Sequence, residues 1–250
     1  MLVDLALVLA VDVSLSMDID EQRLQRDGYV AAFRDPQVWN AISAGATGRI
    51  AVTYVEWAGQ MTQQTVLPWT LIDGPQTAGA FADRLEAAPI SRARMTSISG
   101  ALAYSGHELD TGPYRGVRRV VDISGDGPNN SGAGAQLARD ELVSKGIVIN
   151  GLPIVLKRDQ PSGFFDINNL EQYYTNCVIG GTGSFVISVR DRNEFRTATR
   201  RKLILEISNL LPEQPARVVR TQAMPGDGEP VDCMIGERMW RRYMDGGYRE

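Results

Sequence analysis

Histidine and cysteine are scarce in this sequence, and their scarcity limits the kinds of metal site that it can form. Among the 250 residues there are one histidine and two cysteines. A structural zinc site needs about four cysteine or histidine ligands, and a catalytic one about three histidine or carboxylate ligands. The composition therefore argues against a soft-metal centre. Any metal ion bound by this chain is expected to be a hard cation held by oxygen ligands.

A strong net charge and a long hydrophobic run are also missing. The formal net charge is −4, which gives no indication of a nucleic-acid partner. We interpret the basic residues between 190 and 202 as a solvated helix face. The apolar run at residues 5–11 is too short for a membrane span and has no basic leader, so we read it as a buried strand. Because the chain begins directly on this strand, we expect that an upstream leader was removed.

Apolar runs of strand length alternate with helical patterns along most of the chain, which indicates stacked βαβ units. We predict an α/β fold with a doubly wound, mainly parallel sheet of six strands and helices on both faces. The short connection at residues 58–61 indicates a hairpin, so the third strand should run antiparallel at an edge. The expected strands cover residues 3–11, 49–57, 62–69, 117–123, 147–155 and 183–189.

The regular pattern ends near residue 211. Before this point, helices are expected over residues 18–33, 77–87, 97–109, 134–144, 168–175 and 192–210. Beyond it, proline and glycine recur through residues 212–230 and interrupt any periodicity. We therefore assign residues 1–211 to one domain and residues 212–250 to an irregular C-terminal extension.

Oxygen-bearing side chains follow two of the predicted strands. The first strand ends in Asp12-Val13-Ser14-Leu15-Ser16, whose alternate residues project from one side of an extended segment. Asp126 follows the fourth strand, and Thr96 lies just before a helix between the two in sequence. If the first and fourth strands are neighbours, the crevice between their carboxyl ends is the switch point at which doubly wound sheets bind ligands. We therefore predict one site formed by Asp12, Ser14, Ser16, Thr96 and Asp126.

This combination of hydroxyl groups and two carboxylates suits Mg²⁺, with Mn²⁺ and Ca²⁺ as alternatives. A cation would relieve the repulsion between the carboxylates in a partly dry crevice. Since much of the coordination shell would be neutral hydroxyl and water, the ion would keep net positive character. It could then accept an external carboxylate, which is a mechanism of adhesion that needs no catalysis.

The same residues resemble the metal-ion-dependent adhesion site of von Willebrand factor type A (vWA) domains, and the resemblance covers about residues 3–210. Residues 97–102 are similar to the helix that follows the family's threonine. The ending Asp122-Ile123-Ser124-Gly125-Asp126-Gly127 differs from the commoner Thr-Asp-Gly and looks like that of an uncharacterised, exported bacterial branch. We assign the family's acidic position to Asp126, because Asp122 should lie within the strand.

The vWA resemblance implies roles for these residues and a function for the chain. Ser14, Ser16 and Thr96 would bind the metal directly, and Asp12 and Asp126 directly or through water. The chain would be a divalent-cation-dependent protein-binding module, for adhesion or as a scaffold, that recruits an acidic side chain of a protein partner. The resemblance implies no enzymatic activity, and a location in the periplasm or outside the cell.

Two other functions remain open from the residues. A metal-dependent hydrolase could use the same oxygens to activate water, but the single histidine, His107, is predicted to lie on the surface of a helix, and there is no Gly-x-Ser-x-Gly motif. Alternatively, the metal site could be degenerate, and the chain could act as a scaffold through its tail. Trp240 and Tyr243 could then form a docking helix.

The two cysteines, Cys177 and Cys233, lie in similar local sequences and are a candidate disulfide. Such a bond would fix the tail to the domain and stabilise it by on the order of 3–4 kcal/mol. It requires an oxidising compartment, and two free thiols are the alternative.

Overall fold

The computed structural model describes residues 1–156, 167–210 and 231–246. Within these residues the chain forms one sheet and helices on both of its faces. The strands are β1 (Leu2–Asp12), β2 (Ile50–Trp57), β3 (Gln63–Ile72), β4 (Arg115–Gly125) and β5 (Val148–Pro153). The helices are α1 (Ile19–Phe33), α2 (Pro36–Ser43), α3 (Pro75–Ala87), α4 (Ile98–Thr111), α5 (Ala135–Ser144), α6 (Leu170–Tyr173), α7 (Phe195–Ser208) and α8 (Ile235–Gly246).

The sheet has the strand order β3-β2-β1-β4-β5, with β1 at its centre. β1 pairs in parallel with both β2 and β4, and β5 runs parallel to β4. β3 pairs antiparallel with β2 at the edge, which confirms the predicted mainly parallel sheet with one antiparallel edge strand. Residues 5–11 of β1 are continuously apolar because this central strand is covered on both faces.

Alternate residues of β1 supply the cores of the two faces, as the geometry of a strand requires. Leu5, Leu7 and Leu9 belong to one core, to which α1, α2, α3 and α7 contribute. Ala6, Val8 and Ala10 belong to the other, to which α4, α5 and α6 contribute. The small alanine side chains of β1 leave room on this second face for larger ones such as Trp57 of β2. The sheet therefore forms the rigid middle layer of the molecule.

The prediction of a sixth strand over residues 183–189 is wrong. This segment runs beside β5 but makes only isolated bridges, Gly151 to Val186 and Ile154 to Val189, so that the described residues contain a sheet of five strands. Two features prevent a continuous ladder. The side chain of Asn150 accepts the N–H of Phe185 at 3.1 Å, and Pro153 has no N–H to donate.

Two helices differ from the sequence prediction. α2 was not predicted, although Asp35 caps it and Pro36 occupies its first turn, a recognisable start signal. α8 lies in the extension that we expected to be irregular, so that expectation is wrong for residues 235–246. Residues 211–230 and 247–250 of that extension lie outside the described residues.

The predicted disulfide is present and links α8 to the rest of the fold. Cys177 and Cys233 are bonded, with their Cα atoms 5.5 Å apart. Cys177 belongs to a π-helical turn, Tyr174–Val178, that directly follows α6. No helix in the described part of the chain combines the length and the apolar character that crossing a bilayer requires.

Candidate metal centre

The carboxyl ends of β1 and β4 lie side by side and bring two acidic residues to the same edge of the sheet. The two strands are paired in parallel register, with Val11 opposite Ser124. Asp12 is the last residue of β1, and Asp126 directly follows the last residue of β4. The pairing expected from the sequence is therefore the one that the structure has.

A chain of short contacts connects the side chains at this edge. The backbone N–H of Ser14 donates to Asp12 Oδ1 at 2.7 Å, and the Ser14 and Ser16 hydroxyl oxygens lie 2.8 Å apart. The Ser16 hydroxyl donates to Asp126 Oδ1 at 2.6 Å. The structure thus brings four of the five predicted residues into direct contact, because the loops after β1 and β4 converge.

The fifth residue, Thr96, lies on a segment that runs between these two loops. Earlier in this segment, Ala93 forms a bridge with Ser14 and donates its N–H to the carbonyl of Val13 at 3.1 Å. Thr96 itself is buried and pairs twice with Asn130 of the β4–α5 connection. Its N–H donates to Asn130 Oδ1, and its carbonyl accepts the Asn130 N–H, both at 2.8 Å.

The backbone just before Thr96 is strained. Met95 has a φ of 72°, a left-handed conformation that is unfavourable for a residue with a side chain. Strained residues of this kind cost roughly 1–3 kcal/mol and persist only where the surrounding structure imposes them. Here the surrounding structure is the double pairing of Thr96 with Asn130, so the position of Thr96 is set by tertiary contacts.

Asp12 is the most perturbed acidic group of the centre. Its side chain is fully buried, and its Oδ2 makes no hydrogen bond within the described residues. Burial, and then the negative charge of Asp126, raise the pKa of Asp12 well above its usual range, although the N–H of Ser14 acts in the opposite direction. A buried carboxyl group thus lies near a half-buried one, and a positive charge beside them would favour ionisation of Asp12.

Asp12 and Tyr174 both approach the backbone closely at Gly125. A methyl group added to Gly125 would lie 2.8 Å from both Asp12 Oδ2 and the hydroxyl of Tyr174. The Tyr174 hydroxyl is also buried without a hydrogen-bond partner among the described residues, and burial followed by the charge of Asp12 raises its pKa. Two buried polar atoms without hydrogen-bond partners among the described residues therefore lie close together beside the glycine that ends β4.

The donor set at this edge is rich in hydroxyl groups. Within the described ranges, no group of three or more His, Cys, Asp or Glu side chains is placed to hold a metal ion. Two carboxylates with serine hydroxyls form a set of hard oxygen donors, which suits Mg²⁺ and not a soft metal. The residues present therefore fit a hard divalent cation.

Sequence reasoning missed one residue beside the predicted centre. Tyr174 was missed because it comes from the distant π-helical turn, and nothing in its local sequence relates it to Asp12. For Asn129 and Asn130 the sequence left open a place at the rim of the site or a turn role, and Asn129 Oδ1 accepts the N–H of Ser99 at 3.0 Å. His107 is exposed on α4, as predicted.

A family comparison identifies the relatives of this fold. A family model described as "Protein of unknown function (DUF1194)" matches residues 2–211. The chain belongs to the DUF1194 family. A comparison with curated proteins gives no significant match.

Solved structures with the same fold include vWA domains. The DUF1194 chain superposes on a von Willebrand factor type A protein from Catenulispora acidiphila with a TM-score of 0.55 at 17% identity, covering 82% of this chain and 43% of that one. It matches the pilus adhesin SpaC from Lactobacillus rhamnosus GG with a TM-score of 0.58 at 12% identity, covering 83% and 30%. It matches proximal thread matrix protein 1 from the mussel byssus with a TM-score of 0.53 at 15% identity, covering 82% and 48%, in a structure with a zinc-occupied MIDAS motif.

These similarities confirm the vWA-like fold that the sequence predicted. The DUF1194 chain spans less than half the length of these relatives. At such low identity the similarity concerns the fold, and the roles of individual residues have to be argued from the site itself.

Proposed function

We propose that this DUF1194 chain is a divalent-cation-dependent protein-binding module that recruits an acidic side chain of a partner to the edge between β1 and β4. The observation that carries the proposal is the buried, unpartnered Oδ2 of Asp12 beside the continuous contacts of Ser14, Ser16 and Asp126. Mg²⁺ is the cation that this oxygen set suits best, with Mn²⁺ and Ca²⁺ as alternatives.

Each protein group has a distinct task in this proposal. Asp12 and Asp126 provide the negative charge, and the N–H of Ser14 holds Asp12 Oδ1 in place. Ser14, Ser16 and Thr96 offer neutral hydroxyl ligands, so that the protein does not cancel the charge of the cation. The bound cation supplies a positive charge that a partner's carboxylate can reach.

Two features support a binding role in an exported protein. The only histidine, His107, is exposed on α4 and does not lie beside the acidic cluster, so no histidine base is placed at the centre. The disulfide between Cys177 and Cys233 is stable in an oxidising compartment, which favours the periplasm or the outside of the cell. SpaC, whose fold is similar, is a pilus adhesin.

Calorimetric titration with Mg²⁺ and Mn²⁺ tests the metal site. We expect saturable binding to the wild type and none to Asp12→Asn or Asp126→Asn, because each variant removes one of the two charges that the cation balances. Asp27→Asn, a change at an exposed acid of α1, is the matched control and should bind as the wild type does. Negligible heats in the wild type and in Asp12→Asn alike would contradict the proposal.

Partner recruitment is tested by capture from the exported proteins of the source organism, with and without a chelator. We expect a partner that is lost on chelation and with Asp12→Asn, and whose binding disappears when one of its acidic residues is changed to the amide. Capture that is insensitive to the chelator would refute the role of the cation. Phosphatase or esterase turnover that vanishes in Asp126→Asn would favour a hydrolase instead.

A further inference from the structure

The C-terminal helix α8 lies directly against the loop that holds Thr96. Its closest approach is at Gly236, where an added methyl group would come within 2.1 Å of the carbonyl oxygen of Asn129. A side chain at this position would therefore force the helix away from the loop. On the other side of the contact, a methyl group on Gly134 would lie 3.2 Å from the sulfur of Met234.

The next residue of α8 makes a specific contact with the same loop. Glu237 Oε1 accepts a hydrogen bond from Asn129 Nδ2 at 2.6 Å, and Nδ2 also donates to the carbonyl of Ala133 at 2.9 Å. The N–H of Asn129 donates to the hydroxyl of Tyr173 at 3.2 Å. Asn129 is thus held by α8 on one side and by the end of α6 on the other.

Asn129 and its neighbour Asn130 connect α8 to the segment that carries Thr96. Asn129 Oδ1 accepts the N–H of Ser99 at the start of α4. Asn130 bonds the Thr96 backbone twice, once through its side-chain Oδ1 and once through its own N–H. The orientation of the Asn129 amide, and with it the position of the Thr96 segment, depends on a residue of the tail.

The disulfide links α8 covalently to the π-helical turn that follows α6. Cys233 precedes α8, and Cys177 belongs to the π-helical turn that also carries Tyr174, whose hydroxyl approaches Gly125 as Asp12 Oδ2 does. A single covalent bond therefore joins the two elements that reach the centre from outside the sheet edge.

We propose that α8, fixed by the Cys177–Cys233 bond, is a brace for the candidate metal centre, and that Glu237 is a positioning residue that acts through Asn129 on Thr96. The expected effect of the brace on metal affinity rests on the proposed function. The expected effect of the brace on the mobility of the loop does not require a metal. Partners that hold metal ligands in place commonly change metal affinity by about 10–100-fold when they are removed.

The first test measures hydrogen exchange of the Thr96 and Ser99 amides in the metal-free, oxidised full chain. Glu237→Ala and Gly236→Ala should accelerate exchange of both amides by about tenfold or more, because the loop loses its restraint. Glu237→Gln should behave as the wild type, since its amide oxygen can accept the same hydrogen bond. Arg241→Ala on the exposed side of α8, and Gly79→Ala, where an added methyl group has open space, are the controls.

The second test measures Mg²⁺ affinity by calorimetry in the same proteins. We expect affinity about tenfold weaker in Glu237→Ala and Gly236→Ala and unchanged in Glu237→Gln, Arg241→Ala and Gly79→Ala. Exchange rates in Glu237→Ala equal to those of the controls would overturn the brace. If exchange accelerates but Mg²⁺ affinity stays the same, the positioning role is refuted. If exchange accelerates and the wild type binds no Mg²⁺, the proposed function fails while the brace stands.

Discussion

At the scale of single residues, two buried aspartates, one on each of the two neighbouring strands β1 and β4, have opposite surroundings. Asp122 lies 2.5 Å from the ammonium group of Lys202 and accepts a hydrogen bond from the Tyr29 hydroxyl at 3.2 Å. Asp12 has no cation near it among the described residues, and its neighbour Asp126 carries the same charge. A buried charge without a compensating cation lowers stability, and either protonation or a bound cation removes this cost.

Asp12→Asn is therefore expected to stabilise the metal-free protein. The amide removes both the burial of a charge and the repulsion from Asp126, which should raise the free energy of unfolding by roughly 1–3 kcal/mol. Denaturant unfolding at about pH 8 with a chelator, compared with Asp27→Asn as the control, measures the difference. An Asp12→Asn variant less stable than the wild type would show that the carboxylate is already compensated without a metal.

The buried cluster of Lys202, Asp122 and Glu206 gives a prediction for pH dependence. The Lys202 ammonium lies 2.5 Å from both carboxylates, so the three groups carry a net negative charge when Glu206 is ionised. Burial, and then the charge of Asp122, raise the pKa of Glu206 from 4.5 to about 7. A carboxyl with a raised pKa stabilises the folded state at low pH and loses this contribution as the pH rises through about 7.

The wild type should consequently lose stability between about pH 5 and about pH 8 relative to Glu206→Gln, whose side chain does not titrate. Parallel denaturant titrations of the two proteins across this range provide the measurement. A stability difference between them that is independent of pH would mean that Glu206 titrates near its ordinary value.

At the scale of secondary-structure elements, α8 depends on contacts with distant parts of the chain. Its attachment includes the disulfide, the packing of Ile235 against the core, the approach at Gly236 and the Glu237 hydrogen bond. The Cys177–Cys233 bond closes a loop with a sequence separation of 56. Loop-entropy reasoning gives such a bond a stabilising effect of about 4 kcal/mol.

Reducing this disulfide is expected to release α8 before the sheet unfolds. Tryptic cleavage at Arg241 and Arg242 should accelerate, while circular dichroism still reports a folded α/β core. The double variant Cys177→Ser with Cys233→Ser is the control and should be cleaved rapidly with or without reductant. Cleavage of the wild type at the same rate under both conditions would show that the noncovalent contacts alone hold the helix.

At the scale of the whole molecule, the loops of the candidate metal centre lie together at one edge of the sheet. The chain order places β1 between β2 and β4, so the connections diverge to the two sides and leave a crevice at the β1–β4 boundary. A ligand that binds this crevice in the folded state alone stabilises the entire fold through mass action.

Mg²⁺ should accordingly raise the melting temperature of the oxidised protein. At a concentration about 100 times the dissociation constant the gain is about 2.7 kcal/mol, which corresponds to roughly 5–10 °C for a chain of this size. Differential scanning calorimetry of the wild type and Asp126→Asn provides the comparison, and the variant should show no shift. An equal shift in both proteins would assign the effect to another site.

Local sequence signals were enough for features that belong to single segments. The apolar run at residues 5–11 predicted the buried strand β1. The predicted helix from residue 18 begins with a capping box, in which Asp18 and Glu21 make both hydrogen bonds. Such signals are reliable because strand burial and helix capping act over a few neighbouring residues.

The sequence by itself determined the α/β pattern, the antiparallel edge and the oxygen donors that follow β1 and β4, since each is a matter of periodicity or short-range spacing. Only the tertiary structure decided that residues 183–189 make isolated bridges, that Tyr174 faces Asp12, and that Glu237 holds Asn129. These outcomes depend on which distant segments of the chain come into contact. Their energies come from contacts between parts of the chain that have no common local pattern.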